Sequence, residues 1–383
     1  MGANVPGGSS YRVVVDVTRV TAAELPDALA RALAGECVVE PIQPGLPGLG
    51  GSGRGQPVPE LPAGGVLVAT SGSTGPARTV MLSAAAVQAS ARATHERLNG
   101  PGDWVCALPI QHVAGMMTVA RAVVAQRGVR FASRDLADLP EPGDRSYLSV
   151  VGAQLFRALE APDLVPRLAG YAAVLVGGSA VSPTLVRRAA SAGIKLVVTY
   201  GMAETCGGCV YDGVPLADVR VSLADERIAL AGPMVFSGYR FDPQATAAVL
   251  RGDTVLTRDR GRWVDGRLEV IGRLDDVVIS GGVNVDLAAA QRACDEEFGT
   301  PEQGGVVMLA VPDERWGQRV VAVTTSELDL AQVGERLRPH LGPAALPREL
   351  RRVVRLAYTS TGKIDRVALQ RGWEARGGHG DAG

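Results

Sequence analysis

The sequence reads as an α/β protein. A large N-terminal domain is built on mostly parallel sheets, a small β subdomain closes it, and a small α+β C-terminal domain follows. Three observations carry that reading. From Val66 onward short apolar runs alternate with helical stretches, the pattern of a parallel sheet with crossover helices. From about Asp218 the helical stretches give way to short strands joined by turns. The chain has 383 residues, more than one ordinary core accommodates.

Taken in order, Met1–Ser9 reads as a flexible lead, Tyr11–Val17 as a strand and Ala22–Ala34 as a helix with Thr21 as its cap. Pro41–Gly65 is rich in Pro and Gly and reads as a linker. Within it, Gly48 to Gly53 matches the spacing of a dinucleotide fingerprint. The match fails because Arg54–Pro62 carries three prolines and cannot open a helix. Gly65–Ala69 reads as a buried strand, Thr70–Arg78 as a loop, and Ala84–Leu98 as a helix capped by Ser83. Further strands are expected at Trp104–Leu108, Val129–Ala132, Tyr147–Val151, Ala172–Val176 and Lys195–Tyr200. The helices between them are expected at Ala114–Gln126, Gly152–Glu160 and Pro183–Ala192. Arg262–Ile271 reads as a hairpin about Asp265-Gly266. In the tail, helices are expected at Leu287–Phe298 and Leu330–Leu341, and strands at Gly305–Val311, Val320–Thr325 and Arg351–Leu356. Arg376–Gly383 should be disordered.

Composition excludes several classes. Lys+Arg is 39 and Asp+Glu 40, a formal charge of −1, so nothing points to nucleic acid or an anionic membrane. No apolar run is long enough for a membrane span, and the N-terminus lacks a signal-peptide pattern, so the cytoplasm is the expected location. Five scattered cysteines argue against a disulfide framework, and Cys206-Gly-Gly-Cys209 has no second ligand pair for zinc. The basic residues are almost all arginine; Lys195 and Lys363 are the lysines.

The Thr70–Arg78 loop, Thr-Ser-Gly-Ser-Thr-Gly-Pro-Ala-Arg, joins a strand to what reads as a helix. Its glycines let backbone approach a ligand, its hydroxyls and N–H groups point at oxygens, and Arg78 adds a cation. Such a loop suits a polyphosphate. It is not a Walker A loop, since Gly72 and Gly75 stand too close and no Lys follows. A P-loop phosphotransferase is therefore disfavoured. His112 follows a strand end, and Leu175–Ser179 closes a strand with glycines. Ligands of α/β sheets belong at such ends.

The Thr70–Arg78 loop resembles the phosphate loop of the adenylate-forming superfamily, the acyl-CoA synthetases and their relatives. The spacing around Pro76 differs, and Arg78 replaces the usual Lys. The resemblance implies nucleotide contacts from Thr70, Ser71, Gly72, Ser73, Thr74, Gly75 and Arg78. Leu175-Val-Gly-Gly-Ser179 resembles the adenine-contacting segment, giving Gly177, Gly178 and Ser179 to the nucleotide. Thr199-Tyr-Gly-Met-Ala-Glu-Thr205 resembles the Tyr-Gly-x-Thr-Glu motif, with Ala203 in place of Thr. It implies that Tyr200 stacks on adenine, that Gly201 and Met202 line the nucleotide and, for Gly201, the acyl group, and that Glu204 binds Mg²⁺ with Thr74. Asp259 and Arg273 match elements that reach the ribose, and Asp275 matches the hinge. Gly281 and Gly282 would lie beside the CoA thiol. Lys363, in a Gly-Lys motif, would act on the adenylation transition state, and His112 would stand at the acyl pocket as a second catalytic residue.

The resemblance runs from residue 70 to 366 and implies two domains, 1–274 and a mobile 275–383. Within the superfamily, Tyr200–Leu216 and His112 followed by Ala-Gly and Arg121 resemble the o-succinylbenzoate–CoA ligases of menaquinone biosynthesis. The implied reaction joins o-succinylbenzoate, ATP and CoA with Mg²⁺ as cofactor, through an acyl-adenylate. The implied partners are those small molecules, with a homodimer left open. Arg121 lies in an apolar helix; it either makes a structural contact or faces the acyl pocket and binds the second carboxylate. The alternatives are a CoA ligase for another acid and a stand-alone adenylation enzyme that loads a carrier protein.

Overall fold

The computed structural model describes residues 17–43, 61, 64–70, 78–359 and 363–377. The alternation that begins at Val66 forms a seven-stranded sheet. Its order is Val214–Pro215, Gly207–Tyr211, Leu196–Met202, Ala173–Gly177, Ser146–Val151, Asp103–Cys106, Val129–Phe131. The five strands from Leu196–Met202 to Val129–Phe131 are parallel, and the first two add antiparallel. Alternation along a strand divides its side chains between two layers. Val174 and Val176 pack with Leu155, Ala158, Leu185 and Ala189 of the helices Gly152–Leu159 and Pro183–Ser191. Ala173 and Leu175 face the other way, in a cluster with Trp104, Tyr147 and Ala122.

Helices Ala84–Arg97 and Val113–Val124 cover that second face and also pack on a five-stranded sheet. Its order is Val17–Val20, Val38–Pro41, Gly65–Ala69, Thr79–Ser83, Gly238–Tyr239. One cluster unites Val66, Val68 and Leu82 of this sheet with Val87, Met116, Met117 and Val210. The third sheet is antiparallel, with strands Arg220–Ala224, Arg227–Ala231, Leu250–Arg251, Thr254–Val264 and Arg267–Arg273. Val264 pairs with Arg267 about a two-residue turn in which Asp265 and Gly266 have φ of 49° and 73°, the positive angles such hairpins require.

A short 3₁₀ turn, Leu274–Asp276, leads into the last sheet. Its path is Val283–Asp286, Val277–Ser280, Gly317–Thr324, Val306–Asp313, with Leu350–Arg352 parallel to Gly317–Thr324. Helix Leu287–Phe298 packs on this sheet through Ala290, Ala293 and Cys294. Trp373 of helix Arg366–Gly377 packs against Val307, Leu309, Val321 and Val323. The core clusters after residue 274 share no member with those before it.

Several expectations change. Thr79–Ser83 is a strand antiparallel to Gly65–Ala69, so the loop closes a hairpin before the helix begins. Its five residues are mostly apolar or β-branched but too few to signal themselves beside a loop. Val38–Pro41 is a strand where the linker was expected to begin, and Leu164–Gly170 is an unforeseen helix. The first strand runs Val17–Val20 rather than Tyr11–Val17, whose first six residues lie outside the described ones. The last helix continues to Gly377, overriding the disorder expected from Arg376; 378–383 lie outside the described residues, as does most of Pro41–Gly65. Ser83 and Ser182 cap their helices as expected, accepting from the N–H groups of Ala86 and Leu185 at 3.1 Å each.

Buried in helix Ala84–Arg97, His95 is 8% exposed. Burial, and then the charge of Arg121, push its pKa down to about 4 from 6.5. The folded state therefore favours the neutral ring. Above pH 6.5 both states are neutral and nothing is lost. Between 6.5 and about 4 the unfolded chain takes up the proton first, so stability falls as pH falls. The shift corresponds to at most roughly 3 kcal/mol. Denaturant titrations across that window should show the decline in the wild type and a flatter curve in His95→Gln.

Candidate active site

The carboxyl ends of the parallel strands converge on one cleft. Ala173–Gly177 ends in Gly177, where an added Cβ would fall 2.3 Å from Thr199 Oγ1. Gly178 follows with φ of 85°, and the space over its Cα is taken by Lys363, whose Cε would lie 3.9 Å from an added Cβ. Lys363 thus reaches from the last sheet's side of the molecule into the strand ends. Its own segment is pinned at the base: Thr359 N–H donates to the Lys363 carbonyl at 2.8 Å, and Asp365 N–H to the Ala357 carbonyl at 2.8 Å. Burial pushes the Lys363 pKa below its ordinary value, with the charge of Arg273 acting in the same direction and Asp259 opposing.

The floor of the cleft is a chain of charge-assisted bonds. Asp259, 7% exposed on the long strand Thr254–Val264, accepts from Tyr200 Oη at 2.8 Å and from Arg273 Nη1 at 3.0 Å. Arg273 turns its other edge to Asp275, with Nε to Oδ1 at 2.8 Å and Nη2 to Oδ2 at 3.0 Å. Burial alone would raise the Asp275 carboxyl, but the hydrogen bonds and charge of Arg273 outweigh it and hold the pKa below the ordinary value. Burial and then Asp259 push the Tyr200 phenol upward, so it remains a donor.

At the far end, Thr70 and Arg78 close the mouth of the loop: Thr70 N–H donates to the Arg78 carbonyl, and Arg78 N–H to Thr70 Oγ1, both at 2.9 Å. Ser71, Gly72, Ser73, Thr74 and Gly75 lie outside the described residues. The Arg78 guanidinium stands 5.3 Å over the Tyr239 ring and pairs with Asp242 at 3.5 Å. Tyr239 Oη donates to Glu204 Oε1 at 2.6 Å. His112 stands at the N-cap position of helix Val113–Val124, bridged to Ala69 at the end of strand Gly65–Ala69; its Nδ1 lies 3.4 Å from the Ala69 carbonyl. Burial pushes the His112 pKa down, and the charges of Arg134 and Lys363 add to that, which leaves the ring neutral and within the field of the lysine.

Tyr200, Asp259, Arg273, Asp275, Gly178 and Lys363 are therefore brought together, with His112 close enough to feel the lysine's charge. Ser179 follows Gly178, and Met202 caps the 3₁₀ turn that carries Glu204. Gly281 and Gly282 form the turn between Val277–Ser280 and Val283–Asp286. There Gly281 N–H donates to the Trp316 carbonyl at 2.9 Å, and a Cβ on Gly282 would meet nothing within 4 Å. Among the described residues no cluster of three or more His, Cys, Asp or Glu could hold a metal. Mg²⁺ does not require such a cluster, since it keeps its waters and takes one or two carboxylates plus substrate phosphates. Glu204 fits that role. Cys206 and Cys209 are free and buried, with thiols pushed upward chiefly by burial, the opposite of a reactive or metal-binding pair.

Arg121, for which a structural contact and the acyl pocket were both open, is 4% exposed. Its guanidinium lies 5.1 Å over the Trp104 ring, and Nη2 donates to Tyr211 Oη at 3.4 Å. The helix explains this, because Arg121 is nine residues, about 13 Å, along the axis from His112. Val113, Met117 and Arg121 share a face at four-residue spacing. Val113 and Met117 would stand 3.9 Å from a Cβ on Gly207, so Arg121 occupies the next layer below. Its Nε has no partner among the described residues. Tyr239, Asp242 and Tyr211 carry no signal of their own in the sequence, because their significance comes from partners distant in the chain.

A family described as AMP-binding enzyme matches residues 57–240. The probable 2-succinylbenzoate–CoA ligase of Mycobacterium tuberculosis (strain CDC 1551 / Oshkosh) is 40% identical over 327 residues, covering 80% of this chain and 84% of the relative. The 2-succinylbenzoate–CoA ligase of Enterococcus faecalis is 27% identical over 328 residues, covering 77% and 67%. Among solved structures, MenE of Bacillus subtilis in complex with the acyl-adenylate intermediate OSB-AMP superposes with a TM-score of 0.68 at 21% identity, over 80% of this chain and 68% of that one. Wild-type Escherichia coli MenE with an analogue of OSB-AMS gives 0.71 at 22%, over 96% and 89%. These likenesses establish a shared fold.

Gly201 offers a local test. An added Cβ there would sit 2.0 Å from the Gly207 carbonyl oxygen, so the antiparallel strand must move. Gly201→Ala should lower the thermal midpoint and weaken nucleotide binding together, by calorimetry and equilibrium titration. A wild-type midpoint would contradict the close approach.

Proposed function

Because the chain belongs to the family of the 2-succinylbenzoate–CoA ligases, AMP-binding enzymes, we propose a division of its reaction among the residues of this cleft. The reaction joins 2-succinylbenzoate to CoA at the expense of ATP, releasing AMP and pyrophosphate, a step of menaquinone biosynthesis. In the first half a carboxylate of the substrate attacks the α-phosphorus of ATP, pyrophosphate leaves, and a mixed anhydride forms. In the second half the CoA thiol attacks the acyl carbon, and AMP leaves.

The observation that carries this division is the placement of Lys363 against Gly178, in the field of Asp259 and Arg273. A cation there offsets negative charge developing on the phosphate in the first half. Asp259 accepts the ribose hydroxyls, Arg273 steadies Asp259, and Tyr200 stacks on adenine. Thr70 and Arg78 flank the phosphates. Glu204 would hold Mg²⁺, which neutralises phosphate charge when bound. Residues 1–274 and 275–383 act as two bodies that pivot at Asp275. The separate cores and the 3₁₀ turn at Leu274–Asp276 support that boundary. A swing would withdraw Lys363 and bring the Gly281-Gly282 turn toward the thiol, which accounts for two chemistries in one cleft.

The substrate carries two carboxylates; one reacts, and the other must be kept from the phosphorus. Arg121 supplies the counter-charge through water, since its unpartnered buried Nε lies one layer below Gly207. No described helix is long and apolar enough to cross a membrane, and the cytoplasm is the proposed location.

Incubation of the purified protein with 2-succinylbenzoate, ATP, Mg²⁺ and CoA should yield AMP and a thioester without any carrier protein. ADP as product, or thioester formed only on an added carrier, would overturn the reading. Lys363→Ala should slow adenylation about 10²–10³-fold and largely spare thioester formation from a supplied acyl-adenylate. Equal loss in both halves would refute the two-conformer division. Arg121→Met should raise KM for the diacid about 30-fold or more, the equivalent of about 2 kcal/mol, with KM for ATP near normal. An unaltered KM in a folded variant would remove Arg121 from the substrate site.

A further inference from the structure

Glu204 and Arg78 come from segments far apart in the chain, and a single side chain touches both. Tyr239 is 7% exposed, and its Oη donates to Glu204 Oε1 at 2.6 Å. The Arg78 guanidinium stands 5.3 Å over the same ring. The residue is fixed in three ways, two through its backbone and one through its ring. Tyr239 pairs with Val80 of strand Thr79–Ser83, one residue beyond the strand start next to Arg78. Its N–H donates to Thr246 Oγ1 at 2.8 Å. Phe236 meets its ring edge-on, with centroids 5.0 Å apart.

The backbone of Glu204 is fastened to the same segment, because Phe236 N–H donates to its carbonyl at 2.9 Å. With its main chain held by Phe236 and one carboxylate oxygen held by Tyr239, Glu204 has a single preferred orientation. A phenol O–H that meets a carboxylate oxygen is the donor of that bond. Arg78 is held on its other side by Asp242, which caps helix Pro243–Val249 through Oδ1 to Ala245 N–H at 2.8 Å. The segment 236–242 thus meets the carboxylate through a hydroxyl and the cation through a ring face and an ion pair.

We propose that Tyr239 is a positioning residue shared by the metal-binding carboxylate and the phosphate-loop cation. It orients Glu204 so that the oxygen not bound to the phenol is presented to Mg²⁺, and it sets the distance between that carboxylate and Arg78. This rests on the assignment of Glu204 to the metal. Hydrogen-bonded partners of metal ligands orient the ligand, and their loss costs 10–100-fold in metal affinity as a rule. The phenol is placed to act in that way, and the cation over its ring adds the coupling to the phosphates.

Tyr239→Phe removes the hydroxyl and keeps the ring beneath Arg78. Glu204→Gln serves as the reference variant. The readout is Mn²⁺ affinity in the presence of α,β-methylene-ATP, followed by electron paramagnetic resonance, with thermal midpoints taken without nucleotide. Tyr239→Phe should bind Mn²⁺ about 10–100-fold more weakly. The Mg²⁺ requirement of pyrophosphate exchange should rise in step and be rescued by excess Mg²⁺, while KM for the diacid stays put. A purely structural tyrosine would lower the thermal midpoint and leave metal affinity intact. Wild-type Mn²⁺ affinity in Tyr239→Phe, with affinity lost in Glu204→Gln, would overturn the proposal for Tyr239 alone. Wild-type affinity in both would remove Glu204 from the metal site and the proposal with it.

Discussion

One guanidinium ties the cleft together. Arg273 gives Nη1 to Asp259 on the floor of the cleft, and Nε and Nη2 to Asp275 in the turn that leads to the last sheet. Lysine could not do this, because the three bonds use the planar fork from two edges. Asp259 is the buried member of this pair, with side-chain exposures of 40% for Arg273 and 10% for Asp259. Removing one partner would leave the other charge poorly compensated, which is the expensive outcome. The same bonds keep the segment that enters the last sheet beside the parallel-strand ends, and so Lys363 beside Gly178. The nucleotide floor and the proposed pivot are two ends of one hydrogen-bonded unit.

The rest of the cleft follows from close approach of backbone. Glycine is required where strands meet at their ends: Gly177 against Thr199, and Gly201 against Gly207. Those contacts bring Tyr200 and Glu204 to the rim and leave an opening that Lys363 enters. The charges within it act on one another. Arg273 and Lys363 are both cationic, and Asp259 lies between their influences, lowering the cost of placing two cations together. His112, held neutral by burial and by the charges of Arg134 and Lys363, adds no third.

Much of this was legible in the sequence, for physical reasons. Parallel strands buried on both faces are short apolar runs, and glycines mark where backbones touch, so strands such as Ala173–Gly177 and the Asp265-Gly266 turn announced themselves. Asp259, Arg273 and Lys363 were found through the resemblance of their short motifs to those of the superfamily. What escaped depends on partners remote in sequence. Thr79–Ser83 becomes a strand because Gly65–Ala69 offers it an edge. The face of helix Val113–Val124 carrying Arg121 could be read from four-residue spacing, but its burial over Trp104 and against Tyr211 could not. Tyr239 stands in an unmarked Gly-Tyr-Arg stretch, and only the fold brings its hydroxyl to Glu204.

The two halves of the reaction meet in the acyl-adenylate, and its reversible formation is the most direct test. Labelled pyrophosphate should exchange into ATP when 2-succinylbenzoate and Mg²⁺ are present and CoA is absent. Exchange should disappear when the diacid is withheld. Exchange that needs CoA, or that proceeds equally well without the diacid, would contradict the assignment of this cleft to adenylation of that substrate.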